Sequence, residues 1–265
     1  MTVKRDGPSL WIHEPGKAGR RVPARLVSRV VVIGNVRLDT EALTLYTACG
    51  VPITFMDHGG RVLGAALAYD IRPEDFRDRQ QALADDAEMA CRIESWMEAA
   101  RRKGRLDMVR RLAPNLAREF ECLGFREMDY TTIFRTFCPE EEARVRAVAG
   151  AVCGLLHESA LEKIIALTLD PHAGILHRHE NFGLCRDFVY MLGAEVDQQV
   201  IRFFQVKKSE DLFQSRGSSA TLTGKGSHSV IQRFEGRRAD IEHKMENLFD
   251  GYFRFLRGLE TALER

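Results

Sequence analysis

The texture of this chain changes once, near residue 70, and that change limits the folds open to it. From Ser9 to about Tyr69, short β-branched runs (LWIH, RLVSRVVVIGN, VPITFMD, RVLGAALAY) alternate with turn residues, the mark of strands. His58-Gly59-Gly60, between the last two runs, predicts a tight hairpin. Asp39 or Thr40 can cap a helix over DTEALTLYTACG, apolar at Leu43, Leu45 and Tyr46 and ended by Gly50. Beyond Phe76 the strand signals nearly vanish. Leu83, Ala87, Ala90, Cys91, Ile93 and Met97 recur at roughly 3.6-residue spacing among charges, as in helices that pack on one face. The expectation is an α+β fold: a β-rich domain with one helix over 1–72, a linker over 73–80 around Ile71 to Asp75, and a mostly α-helical domain over 81–265. Ser215 to Ser229 (SRGSSATLTGKGSHS) is small, polar and glycine-rich, a mobile loop or a short hairpin.

Composition narrows the function classes. With 45% hydrophobic residues in 265, the chain can bury a real core. Its 39 Lys+Arg against 38 Asp+Glu leave it near neutral, so any nucleic-acid surface must come from local segregation of charge. The cysteines at 49, 91, 122, 138, 153 and 185 form no CxxC pair, which argues against a zinc ribbon or a thioredoxin-type site; most read as buried thiols. MTVKRDGPSLWIHEPG has no apolar core of an export signal, and no uncharged run approaches about 18 residues. The expected setting is the cytoplasm, with no membrane and with reduced thiols.

Chemistry concentrates between Ala166 and Asp197, ALTLDPHAGILHRHENFGLCRDFVYMLGAEVD. A helix apolar at Leu161, Ile164, Ile165 and Leu169 is stopped by Asp170-Pro171, and Gly174 releases the backbone. His177 follows, with His179 and Glu180 close by and Asp187 opening the next helix, so that nitrogen and oxygen ligands converge across one bend. Divalent-metal sites are commonly built that way. Read alone, His177 is as well a core or solvated histidine, and a hydrolase using His177, His179 and Glu180 is a remoter option.

Several stretches in their joint order carry more. VVVIGNVRLD, EALTLYTACG, GVPITFMDHGGRVLGAAL, DRQQALADDAEMACRIESWM, LTLDPHAGILH and CRDFVYMLGAEVDQQVIRFF together resemble the CRISPR-associated protein 1 family, the integrase subunit of CRISPR adaptation, over most of the chain. The resemblance implies a metal-dependent DNA endonuclease and integrase that inserts short DNA fragments into a CRISPR array. A 3′-hydroxyl attacks a phosphodiester, and Mg²⁺ or Mn²⁺ is held by a glutamate, a histidine and an acid. Carried onto this chain, the histidine is His177, with His179 as substitute. The glutamate is Glu141 in EEARVR, with Glu142 beside it and Glu119 or Glu121 further upstream as alternatives. Pro139-Glu140-Glu141-Glu142 is equally an ordinary helix start.

The acid is Asp187, but Tyr190 stands where the family has a second acid one turn on. Those positions share a helix face, and a phenol near its ordinary pKa is a poor ligand for a hard cation. Glu195 is two turns away, about 12 Å along the axis. Tyr190, Gly193-Ala194 and the short Val148–Leu169 spacing instead suit a catalytically degenerate relative, a DNA-binding or scaffold subunit. Candidate phosphate contacts are Arg144 and Arg146 beside the glutamate and a C-terminal run of Lys207, Lys208, Lys225, Arg233, Arg237 and Arg238, which is equally a solvated face. Arg20-Arg21 and Arg101-Arg102-Lys103 read as surface charge, Trp11 and Trp96 as packing. The resemblance also implies a homodimer through the β-rich domain and a partner, CRISPR-associated protein 2.

Overall fold

The computed structural model describes residues 1–68, 74–124, 126–206, 210–216 and 219–263. Its N-terminal part holds two small sheets. Strands β1 (Thr2–Asp6), β2 (Ser9–His13), β3 (Arg20–Pro23) and β5 (Arg37–Leu38) form one sheet in the order β3-β2-β1-β5, with β1 and β5 parallel. Strands β4 (Val30–Ile33), β6 (Ile53–Met56) and β7 (Val62–Ala66) form the other. Helix α1 (Thr40–Ala48) lies between the parallel pair β4 and β6 in sequence, and β6 turns back into β7 through the expected hairpin. Val3, Leu10, Val32 and Ile53 close a small core with Ala42 and Tyr46 of α1. Asp39 sits at the N-cap, but its side chain makes no capping bond. Two details depart from expectation: Thr2–Asp6 pairs as a strand, and Ala24–Leu26 turns as a 3₁₀ helix, so the apolar run before Val30 is broken.

The rest is helical: α2 (Glu74–Asp85), α3 (Ala87–Leu112), α4 (Pro114–Leu123), α5 (Glu127–Phe137), α6 (Glu142–Ala166), α7 (Gly183–Met191), α8 (Gly193–Val206), α9 (Gly224–Glu235) and α10 (Arg238–Leu263). Antiparallel strands β8 (Phe213–Arg216) and β9 (Ser219–Leu222) precede α9, so the described residues of the glycine-rich stretch are strands and a helix start. Thr223 caps that helix by accepting from the Gly226 amide. Residues 74–80, expected as linker, are the opening turns of α2, while 69–73 lie outside the described residues.

Helix α6 is the axis of this helical part, buried at Val148, Val152, Leu155, Leu156, Ala160, Leu161 and Ile164. Trp96 packs edge-on against Phe255, whereas Trp11 is 39% exposed. Cys138 and Cys185 are buried as expected, but Cys49 and Cys91 are exposed; all are free thiols. The Cys122 side chain lies outside the described ones. Among the described residues, no helix is long and apolar enough to cross a membrane.

The two parts meet backbone to backbone. A Cβ on Gly60, whose φ is +81°, would stand 2.1 Å from Cα of Ala151; one on Gly154 would stand 2.2 Å from the Gly60 carbonyl oxygen, and one on Gly150 2.6 Å from that of Gly59. Glycine on both sides is therefore what lets the β6–β7 turn lie on α6. Asp57 shapes that turn by accepting from the Gly59 and Arg61 amides, each at 2.9 Å. A second contact is ionic. Arg29, just before β4, places Nη1 2.8 Å from Oε2 of Glu158 and Nη2 2.7 Å from Oε1 of Glu235.

Candidate functional site

After α6 the chain cannot run on. Thr168 takes a left-handed conformation at φ 56°, Pro171 follows, and the backbone stays irregular until Phe182, also left-handed at φ 58°, opens α7. The loop is tied to α2 by Gln80, which donates to the Asp170 carbonyl at 3.2 Å and accepts from its amide at 2.8 Å. Asp187 does not open α7; it is the fifth residue of that helix and fully buried. It accepts from the amides of Ile175 at 2.6 Å and His177 at 3.2 Å, and its Oδ1 lies 2.7 Å from Nδ1 of His177. Burial raises this carboxyl, and those contacts pull against the rise. With Nδ1 donating to the carboxylate, His177 keeps Nε2 as its unprotonated nitrogen in the neutral form. Asp187 is thus a positioning residue whose two oxygens are already engaged.

His177 opens on a cleft of about 750 Å³ between Gly59–Gly64 of the hairpin and helices α6 and α7. Cys153, His157, Asn181, Arg186 and Tyr190 also line it. His157 is 9% exposed, its Nδ1 is buried without a partner, and burial together with the nearby Arg186 pushes it down to about 4. It is neutral at physiological pH. The sequence analysis did not single it out, since one imidazole in the helix segment VCGLLHESALEKII carries no signal of its own.

Tyr190 faces the same cleft, its ring 6.3 Å from that of His177. Its hydroxyl donates to Glu98 and accepts from Arg101 Nη1 at 2.9 Å. The Arg101 guanidinium carbon lies 4.5 Å from the Tyr190 ring centroid, a cation–π contact. Arg101 Nη2 reaches Oε1 of Glu127 at 3.4 Å, and Arg105 donates to the same oxygen. Burial, then the bond to Glu98, raises the Tyr190 phenol, which stays protonated. Arg101 is therefore packed on Tyr190 from α3 rather than free surface charge, and it supports a residue of the cleft without lining the cleft itself. Glu98 and Arg101 come from α3 and Glu127 from α5; nothing local in the sequence joins them to Tyr190.

The other sequence candidates are not brought to His177. Glu141 is the exposed N-cap of α6, 3.5 Å from Arg144, and sixteen residues before His157, about 24 Å along the helix axis. Glu142 pairs with Arg146 at 2.7 Å. Glu119 is exposed on α4, the Glu121 side chain lies outside the described ones, and His179 is exposed. Glu180 pairs with Arg186 at 2.6 Å, and Glu195 is buried between Arg237 at 2.9 Å and Lys244 at 2.5 Å. Much of the expected phosphate-binding set is engaged within the protein. Arg144 stacks on Phe213, Lys225 faces Asp211, and Arg233 donates to the Arg202 carbonyl. Arg237 pairs with Glu195, Arg238 with Glu242 at 2.6 Å. Lys207 and Lys208 lie outside the described residues.

These residues do not fit a divalent metal held by Glu141, His177 and Asp187. One carboxylate is remote, another is spent on orienting the imidazole, and the acid expected beside it is a protonated phenol. Among the described residues, no group of three or more His, Cys, Asp or Glu is placed to hold an ion.

Comparison with known proteins adds the wider context. The family model described as CRISPR associated protein Cas1 matches residues 1–123 and 152–236. Over 69 residues the chain is 41% identical to the CRISPR-associated endonuclease Cas1 1 of Thermus thermophilus, a stretch that is 26% of this chain and 22% of that relative. Its fold is similar to that of a CAS1 protein from Thermotoga maritima, with TM-score 0.82, 15% identity, and 96% and 94% of the two chains covered. It is also similar to a chain of a Cas6-RT-Cas1–Cas2 complex, with TM-score 0.71, 14% identity, and 89% and 31% covered. A casposase bound to integration product aligns with TM-score 0.67, 18% identity, and 89% and 79% covered. At these identities the structural likeness is one of fold.

Proposed function

We propose, because the chain belongs to the CRISPR-associated Cas1 family of integrases and endonucleases, that it engages DNA as an integrase-type subunit of CRISPR adaptation in which the His177 cleft holds a phosphodiester without activating a metal. One observation carries this reading: the Asp187–His177 pair presents its imidazole beside a protonated Tyr190 tied to Arg101, where a metal-activating centre needs free carboxylates. The role that fits is that of a DNA-binding or scaffold subunit. Working in the cytoplasm, it would pair with a second copy through the exposed edges of its N-terminal sheets and assemble with CRISPR-associated protein 2, in keeping with the Cas1–Cas2 complex whose Cas1 chain it resembles in fold.

A second reading has its own support. A buried carboxylate that fixes the tautomer of an imidazole is a usual companion of metal-ligating histidine, and that favours strand transfer dependent on Mg²⁺ or Mn²⁺. Branched DNA incubated with wild type and with His177→Ala, in Mn²⁺ or in EDTA, separates the two. The expected result is DNA binding that persists in EDTA, weakens about three- to tenfold in the variant, and comes with no metal-dependent cleavage or joining. Strand transfer that requires Mn²⁺ and disappears in His177→Ala would establish the second reading instead.

A further inference from the structure

The first backbone N–H groups of a helix have no partner inside it, and at α7 they are taken up by the loop that carries His177. Phe182, the N-cap, makes no capping bond with its own side chain. Its amide donates instead to Nδ1 of His172 at 3.1 Å, and the Leu184 amide donates to the Pro171 carbonyl at 3.1 Å. His172 is in turn seated by Asp170, whose Oδ1 accepts from the His172 amide at 2.9 Å. The left-handed backbone of Phe182 is unfavourable for a bulky side chain, and these contacts hold it in place. Its ring lies between two imidazoles, with centroids 4.6 Å from that of His172 and 5.7 Å from that of His157. The next residue, Gly183, packs on His177 itself: a Cβ there would stand 2.4 Å from the His177 carbonyl oxygen.

We propose that His172 is a positioning residue for His177. By accepting the Phe182 amide it fixes the start of α7, and so the place from which Asp187, five residues on, orients the cleft imidazole. The two histidines then carry opposite tautomers. His172 accepts at Nδ1 and keeps its proton on Nε2, whereas His177 donates from Nδ1 to Asp187. Without the acceptor at 172, the Phe182 amide is unpaired, residue 182 is free to leave the left-handed region, and α7 shifts against the His177 loop. The inference rests on the DNA reading only for what the oriented imidazole is used for, and the orientation itself is tested without DNA.

Histidine ring ¹⁵N signals of the full chain at pH 8 report which nitrogen carries the proton. They are compared for wild type, for His172→Phe, which keeps a ring on Phe182 but has no acceptor, and for His172→Asn, whose side-chain oxygen can take the same amide. Thermal melting checks folding, and the spectrum of His177→Ala assigns the His177 signals. Wild type is expected to carry the His172 proton on Nε2 and the His177 proton on Nδ1. His172→Phe moves His177 toward a mixture of both forms, and His172→Asn restores it. DNA affinity in EDTA should follow, falling about two- to fivefold in His172→Phe, the worth of one neutral hydrogen bond, and returning in His172→Asn. A wild-type His172 protonated on Nδ1 would overturn the proposal, and that result depends on no variant folding. So would a folded His172→Phe chain with its His177 signals unmoved, or a His172→Asn chain that shifts as His172→Phe does. Ring signals as expected, beside a wild type that binds no DNA, would remove the DNA reading and leave this one standing.

Discussion

Single residues in this cleft are set by what surrounds them. His177 is held by two contacts to one buried carboxylate, while His157, lining the same cleft, has an orphaned Nδ1. His157 also faces the positive charge of Arg186, and the two together hold its pKa at about 4 against an ordinary 6.5. The unfolded chain therefore takes up a proton on this residue at a pH where the native chain does not. The stability tied to the neutral ring is complete above about pH 6.5 and is lost as pH falls toward 4, at most about 3 kcal/mol. His157→Phe, which keeps a ring and removes the titration, should flatten the fall in melting temperature between pH 7 and 5; an unchanged slope would show that His157 does not carry it. His177 and Asp187 were legible because both lie in one thirty-residue stretch whose helix stop is written in Asp170-Pro171, whereas the restart at Gly183, four residues before Asp187, was not. Glu98, Arg101 and Glu127 were not, because only the packing of α3 and α5 against α7 brings them to Tyr190. Glu141 misled for a related reason: an acid at a helix start satisfies the helix dipole and looks the same in sequence as an acid awaiting a ligand.

At the scale of elements, the join between the β6–β7 turn and α6 decides whether the cleft exists at all, since its walls come from both. Gly154 lies against the Gly60 carbonyl and the Met56 sulfur, so Gly154→Ala puts a methyl where a Cβ would be 2.2 Å from oxygen and 3.0 Å from sulfur. An alanine ordinarily favours a helix by about 1 kcal/mol over glycine, but here overpacking should win by about 1–3 kcal/mol. Urea denaturation should show a lower midpoint for Gly154→Ala, while Gly64→Ala, with nothing within 4 Å of its Cβ, stays near wild type. A Gly154→Ala chain as stable as wild type would mean that the turn can lift off α6 without cost. The strands and helices themselves were largely readable: alternation gave β2, β4, β6 and β7, and helical spacing gave α3. Thr2–Asp6 escaped because TVKRD offers a single buried side chain, Val3, to the core. Residues 74–80 escaped because Pro73 and the acids after it punctuate a linker and begin a helix equally well.

Across the whole molecule, the N-terminal part is tied to the helical part by a buried ionic knot as well as by glycines. Arg29, its side chain 8% exposed, meets Glu158 at 2.8 Å, Glu235 at 2.7 Å and Glu162 at 3.7 Å, and Arg238 reaches Glu162 at 3.7 Å and Glu235 at 3.6 Å. Arg238 also pairs with Glu242 at 2.6 Å, so four carboxylates share two guanidiniums, acids are in surplus, and the most deeply buried one gives way. Burial pushes Glu158 up to about 8, with Arg29 opposing the rise and Glu162 adding to it. The native state then holds a proton on Glu158 that the unfolded chain releases near 4.5, and the associated stability is fully present below that pH and lost as pH rises through about 8. Since the His157 contribution is already complete above about 6.5, the interval from 6.5 to 8 isolates Glu158, where roughly 2 kcal/mol, or about 5 °C of melting temperature, should disappear. Glu158→Gln imitates the protonated side chain and should match wild type only below about pH 4.5, exceed it by about 3 kcal/mol near pH 6.5, and melt at nearly constant temperature from there to pH 8. Should the variant fall in parallel with wild type, the surplus charge would rest on Glu162 or Glu235, both more exposed, and the two parts would be joined by a knot fully ionised at neutral pH.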